Sequence, residues 1–333
     1  MNFSEYMHAW LYGESGYYKH FKAIGREGDF YTAVSTSAFF GASIANYFYT
    51  LIQEEKAPRD GYLIEIGAHQ GYLISDMIQW LYSCDPTLVE TLRFGIVERQ
   101  PEVQKAQKAY LQKRFGDAIE VSFFKDISEV EADYAFVVAN EILDAFPCEL
   151  YKDHQIALVE NHQIYWQDAP LQLEEFAKKH RLKTGEIAVG YEAFAQQMAQ
   201  AIERLDFVTF DYGEQYVRND FSIRIYAEHK TLPLFDEELV LADAYQHADI
   251  TYDVNFGQVM DAFGENGFEV VQYETQARAL VRFGIIDILE QYAKSTTRVN
   301  YLREADRIKT LLSPTIMGDR FKMLHLRKGG SAF

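Results

Sequence analysis

Between Gly61 and Asp76 the chain reads Gly-Tyr-Leu-Ile-Glu-Ile-Gly-Ala-His-Gln-Gly-Tyr-Leu-Ile-Ser-Asp, and this stretch constrains the fold more than any other. Leu63, Ile64 and Ile66 make a short apolar strand, Gly67 and Gly71 bracket a tight turn, and Leu73, Ile74, Met77 and Ile78 recur at the spacing of one helix face. A strand, a turn and a helix in immediate succession make a nucleotide-type cleft. Glu65 stands inside the strand end. An unpartnered charge there would cost stability, so it either lines a polar site beside Gly67 or pairs with a nearby backbone or Arg group.

Further strands follow at intervals filled by helical segments. Leu92–Glu98 ends in the acid Glu98, Ile119–Phe124 is followed by Asp126, and Asp133–Ala139 leads into Asn140-Glu-Ile-Leu-Asp-Ala-Phe-Pro147. Alternation of this kind predicts an α/β fold, a mostly parallel sheet with helices on both faces. Ligands in such sheets bind at the carboxyl ends of the strands, where Gly67, Glu98, Asp126, Asn140 and Glu141 all fall. Taken singly, Glu98 is a ribose-hydroxyl acceptor or a strand-end surface acid, and Asp126 is an adenine-side contact or the cap of the next turn. Four polar features at four successive strand ends favour a ligand site.

Elsewhere, helices are expected near Ser4–Tyr12, from Ser37, over Pro101–Phe115, near Tyr191–Leu205 and over Ala277–Leu312. A small antiparallel insertion is expected after Pro147, and the polar, irregular stretch up to about Asp253 reads as a lid or a substrate-side excursion. Phe207–Gly213, Gly267–Glu274 and Phe321–Arg327 supply the remaining strands, the last of them antiparallel, which is the order of a class I methyltransferase. The glycine-rich stretches Gly13–Tyr18 and Gly25–Thr32 read as irregular loops that either cover a ligand or are ordinary surface connections.

Composition narrows the function. With 333 residues and 48% apolar residues, the chain can bury a substantial core. Its formal charge of −18 argues against nucleic acid, whose binding depends on Lys and Arg, and is compatible with a basic partner. Cys84 and Cys148 lack metal-type spacing, so neither a metal site nor a disulfide framework is expected. No stretch reads as a leader or a membrane span, and a cytoplasmic setting is expected.

Gly28-Asp-Phe-Tyr-Thr32, Glu65-Ile-Gly67, Asn140-Glu-Ile-Leu-Asp-Ala-Phe-Pro147, Asp249-Ile-Thr251 and Met317-Gly-Asp-Arg-Phe-Lys322, in this order, make the chain similar over nearly its whole length to the MidA-like S-adenosylmethionine-dependent methyltransferases. That group includes the mitochondrial complex I assembly-factor arginine methyltransferase. The resemblance implies a Rossmann-like class I methyltransferase core with a seven-stranded sheet, S-adenosylmethionine as methyl donor, and a protein arginine, carried by a complex I subunit, as acceptor. It also implies a helical and loop segment over residues 1–58 covering the cofactor site, and a core over 59–333 with insertions near 148–190 and 214–254. Gly28, Asp29, Phe30 and Thr32 would fold over the cofactor, with Phe30 stacking on it and Asp29 meeting its amino group. Glu65, Gly67, Gly71, Glu98, Asp126 and Asn140 complete the expected cofactor set. One position departs from the family's Gly-Pro-Gly-x-Gly turn: His69 stands where a glycine would let the backbone approach the ligand with φ > 0.

Methyl transfer to arginine needs carboxylates that fix the guanidinium and take up its proton. Glu141 and Asp144 stand three residues apart after a strand end, and a helical turn beginning there would project both to one side. They are the expected acceptor cradle, with Asn140 spanning cofactor and substrate. Asp144 has a second reading, an acid stabilised at a helix N-terminus. His69 keeps open a non-catalytic assembly or binding protein on the same fold, whereas a nicotinamide oxidoreductase lacks its glycine pattern.

Overall fold

A computed structural model describes residues 1–19, 32–227 and 230–330. The chain divides into two compact units. A sheet unit comprises Phe30–Asn140, Gln196–Asp211 and Asn266–Phe333; an insert unit comprises Met1–Asp29, Glu141–Ala195 and Tyr212–Glu265.

The sheet unit is built on β1 (Tyr62–Ile66), β2 (Arg93–Val97), β3 (Val121–Phe124), β4 (Ala132–Asn140), β5 (Ile202–Glu214, whose last three residues belong to the insert unit), β6 (Phe268–Thr275) and β7 (Phe321–Lys328). Their order across the sheet is β6-β7-β5-β4-β1-β2-β3. The β1–β2, β1–β4, β2–β3 and β4–β5 pairs are parallel, and β6–β7 is antiparallel. Strand β4 is buried from Tyr134 to Ala139, as a central parallel strand must be. Helix α1 (Ala38–Gln53) starts where the Ser37 hydroxyl accepts the Phe39 amide, and its Phe48 stacks on Phe136 of β4, centroids 4.5 Å apart. Helices α2 (Tyr72–Cys84) and α3 (Pro101–Phe115) follow β1 and β2. The expected helical run near the C-terminus is three helices, Gln276–Arg282, Ile285–Ala293 and Arg298–Leu312, interrupted at Gly284 with φ 88°.

Asp206 of β5 is buried but fully partnered. It accepts from His325 Nε2 at 2.6 Å, Arg327 Nε at 2.7 Å and the Tyr134 hydroxyl at 2.9 Å, and Tyr47 meets His325 Nδ1 at 2.9 Å. Burial pushes the Asp206 carboxyl up, yet His325 and Arg327 outweigh it and hold the carboxyl below its ordinary value. Burial lowers His325. A neutral ring donating from Nε2 and accepting at Nδ1 satisfies every partner, so His325 is a core residue.

In the insert unit, strands Cys148–Lys152, Gln155–Glu160, Gln163–Asp168 and Thr184–Ala188 form the antiparallel insertion read from the sequence. Helix Leu171–His180 packs on it through Ala177, against Tyr151, Ile156 and Ile187. Helix Phe3–Tyr12 contributes Phe3, Met7 and Trp10 to this unit's core, and the Trp10 indole donates to the Ala248 carbonyl. The stretch read as an irregular lid carries a second sheet, Arg224–Ala227 between Lys230–Pro233 and Asp249–Thr251, all antiparallel. Its strands are three or four residues long and rich in polar side chains, so no periodicity announced them. Among the described residues no helix is long and apolar enough to cross a membrane.

Candidate functional site

The turn after β1 is held in place by the sheet unit's own groups. Gly67, His69 and Gly71 all have positive φ, at 71°, 45° and 80°, so the backbone coils left-handed and delivers Gly71 as the N-cap of α2. His69 therefore supplies the backbone angle that a glycine would supply. The Gln107 side chain, projecting from α3, donates from Nε2 to the His69 carbonyl at 2.9 Å and anchors the turn. Its Oε1 is buried without a hydrogen-bond partner among the described residues.

Glu65 is only 4% exposed, and its Oε2 accepts the Ile74 amide at 2.9 Å, in the first turn of α2. Of the two expectations for this acid, the backbone-paired one describes this oxygen. Burial pushes the carboxyl up to about 8, and the Ile74 amide opposes that rise. Glu98 directly follows β2, and its Oε1 accepts the Gln100 amide at 2.9 Å. Burial lifts its pKa above the ordinary value, with the Gln100 amide acting the other way. Asp126 follows β3 and caps the next turn, accepting the Ser128 amide at 2.9 Å and the Ser128 hydroxyl at 2.6 Å. Asn140 is the last residue of β4, half-buried. Thr32 caps the short helix Ala33–Thr36 by accepting the Ser35 amide. Gly28, Asp29 and Phe30 lie outside the described residues.

Glu141 and Asp144 do not share a helical turn. Glu141 has φ 53°, an uncommon conformation for a non-glycine residue, and precedes a 3-10 turn that spans Leu143–Ala145. Asp144 lies inside that turn, 5% exposed. The Tyr212 hydroxyl donates to its Oδ2 and lies 2.5 Å from Thr251 Oγ1, and the Arg224 guanidinium carbon stands 4.8 Å from the centre of the Tyr212 ring. Arg224 in turn pairs with Asp253 at 2.7 Å. Burial pushes Asp144 up to about 6, against the Tyr212 hydrogen bond and the Arg224 charge. The expectation of one helical turn presenting both carboxylates is thus corrected: the positive φ at Glu141 interrupts the chain before the turn begins.

Gln107, Tyr212, Thr251 and Arg224 were not singled out as site groups from the sequence. The Asp211-Tyr-Gly213 strand end and the Asp249-Ile-Thr251 motif marked their neighbourhoods, but not which groups would meet.

The strand-end turn and the strand-end carboxylate of Glu98 fit a ligand that carries a ribose diol. A Rossmann-like sheet of this order with that turn is the fold of the class I S-adenosylmethionine-dependent methyltransferases. The chain belongs to the family described as "Putative S-adenosyl-L-methionine-dependent methyltransferase", whose model matches residues 43–274.

Among curated proteins, it is similar to the mitochondrial protein arginine methyltransferase NDUFAF7 of Xenopus laevis, 24% identical over 96% of this chain and 79% of that one. The Rattus norvegicus protein of the same name is 22% identical over 93% of this chain and 77% of the relative. The Xenopus tropicalis match is 27% identical but spans 43% of this chain and only 38% of that protein's length. A crystal structure from Burkholderia thailandensis with S-adenosyl-homocysteine bound shares the fold, with TM-score 0.82 and 23% identity over 98% of this chain and 88% of that one. A second crystal structure from the same organism has TM-score 0.79 and 24% identity over 98% of this chain and 87% of that one.

Proposed function

We propose that the chain transfers a methyl group from S-adenosylmethionine to an arginine side chain of a protein substrate. The observation that carries this reading is Glu141, a carboxylate held in strained left-handed backbone immediately after the central strand β4. Strain of this kind persists where the surrounding structure enforces it and is concentrated at functional sites. The name that the NDUFAF7 relatives carry supports arginine as the acceptor, and a respiratory complex I subunit is the substrate that the sequence resemblance suggests.

In this reading the turn Gly67–Gly71, Glu98, Asp126 and Asn140 would hold the cofactor. Glu98 accepts from the ribose hydroxyls. Glu65 acts on the cofactor through the backbone, by fixing the first turn of α2. When bound, the cofactor would supply a methyl group on a sulfonium, whose S–C bond breaks as the new N–C bond forms.

The protein's work is alignment and proton handling. An arginine is always cationic, and its nitrogens attack only as a proton leaves. Glu141 orients the guanidinium and takes up that proton. Asp144, buried under Tyr212, positions the Asn140–Pro147 segment rather than meeting the acceptor itself. A cytoplasmic setting fits two free thiols, Cys148 buried and Cys84 half-buried.

The reading is tested by incubating the protein with methyl-labelled S-adenosylmethionine and purified complex I subunits, then hydrolysing the products to amino acids. Label in methylarginine supports it. Label only in another residue, or no transfer by protein that binds the cofactor, overturns it.

A further inference from the structure

The acidity of the chain is unevenly shared between its units. The insert unit contains 25 Asp and Glu against 11 Lys and Arg, a net −14, whereas the sheet unit contains 25 against 21, a net −4. The same insert unit carries a cluster of rings at its surface. Trp166 lies on Gln163–Asp168, an edge strand of the four-stranded sheet, with Phe221 and Phe235 beside it. Ring centroids are 6.0 Å apart for Trp166–Phe221, 6.2 Å for Trp166–Phe235 and 5.0 Å for Phe221–Phe235. Phe235 is 46% exposed, and the other two rings are half-buried. Each ring has a carboxylate close in sequence: Asp168 two residues along the strand from Trp166, Asp220 before Phe221, and Asp236 after Phe235.

We propose that this surface docks an arginine-bearing basic segment of the protein substrate. The identity of that segment rests on the arginine methyltransferase reading above; the choice of a basic occupant rests on the charge. Guanidinium groups stack on exposed aromatic faces and pair with carboxylates beside them. The Trp166 ring already attracts a cation from its own unit, since Lys152 Nζ lies 6.0 Å from its centre. Asp220 meets Arg218 at 3.5 Å, with both side chains more than half exposed, a pairing that a stronger cationic ligand can replace. A second copy of the chain, an anionic membrane and a nucleic acid would each bring like charge to a unit of net −14. The surface therefore adds affinity and selectivity for basic substrates outside the reacting groups.

Fluorescence anisotropy on the full chain tests this with a labelled glycine–serine peptide carrying several arginines and the matching peptide in which citrulline replaces each arginine. Citrulline keeps the shape and removes the charge. The arginine peptide should bind more tightly than its citrulline counterpart and weaken as salt is raised. Phe235→Ser and Trp166→Leu should each weaken the arginine peptide by about two- to fivefold, the loss of one exposed cation–π contact. Circular dichroism and cofactor titration should match the unaltered protein.

Equal binding of the two peptides, or variants that bind the arginine peptide as the unaltered protein does, would overturn the proposal. So would sedimentation showing that the variants break up an oligomer, which would assign the surface to a second copy. Because docking is read without cofactor, intact docking with no methylarginine formed would count against the activity and not against the surface.

Discussion

Glu65 is a carboxyl whose environment favours its neutral form. Its folded pKa is raised from 4.5 to about 8, so between those values the folded state binds more protons than the unfolded state, and stability falls as pH rises through that window. Glu65→Gln keeps an acceptor for the Ile74 amide and removes the titration. The difference in melting temperature between pH 5 and pH 8 should therefore shrink in the variant, and an unchanged difference would show that Glu65 is not the linked group. Asp144 is raised to about 6 while Tyr212 holds it down. Tyr212→Phe removes that restraint, so the acidic limb of the rate profile should move to higher pH. A limb that stays in place would remove Asp144 from the working site. At this scale the sequence exposed Glu98, Asn140 and Glu141, which follow or end strands. It did not reveal Gln107 or Tyr212, because what matters about each is a partner 38 or 68 residues away.

Among the elements, the strands of the sheet unit were legible because apolar runs bounded by glycine and acids have few other meanings. Observed β1, β2 and β4 fall within a residue of their expected limits. Strand β5 begins at Ile202, earlier than expected, where helical and strand patterns overlap. The three short strands between Arg224 and Thr251 were hidden, since their stability comes from pairing and not from pattern. Gly213 is the residue that this part of the insert unit depends on. A Cβ there would stand 2.1 Å from the Val254 carbonyl oxygen, at a backbone φ of 151°. Gly213→Ala should cost on the order of 3 kcal/mol in urea unfolding, from overpacking and backbone strain together. A cost near zero would mean that the parallel pairing of Val254 and Asn255 with Gly213 and Glu214 is dispensable. In β5, Asp206→Asn leaves Arg327 without its charge partner, and about 3–5 kcal/mol should be lost, as expected when one member of a buried pair is removed. A loss within experimental error would show the network to be incidental.

For the whole molecule, the class I topology was readable in the order of strands and helices, but the division of charge was not. Net charge is a property of the chain, whereas its concentration in the insert unit appears only once folding gathers three separated segments together. Cofactor binding should stabilise the folded state by mass action, about 2.7 kcal/mol at a hundredfold excess over Kd, seen as a rise in melting temperature with S-adenosylmethionine and not with NADH. The most direct measurement is methyl transfer to an arginine peptide by the unaltered protein and by Glu141→Gln, with cofactor affinity followed by calorimetry on both. Methylarginine formed by the unaltered protein, lost in the variant, with cofactor affinity kept, is the predicted result. Full transfer by Glu141→Gln would contradict the role given to the strained carboxylate at the end of β4.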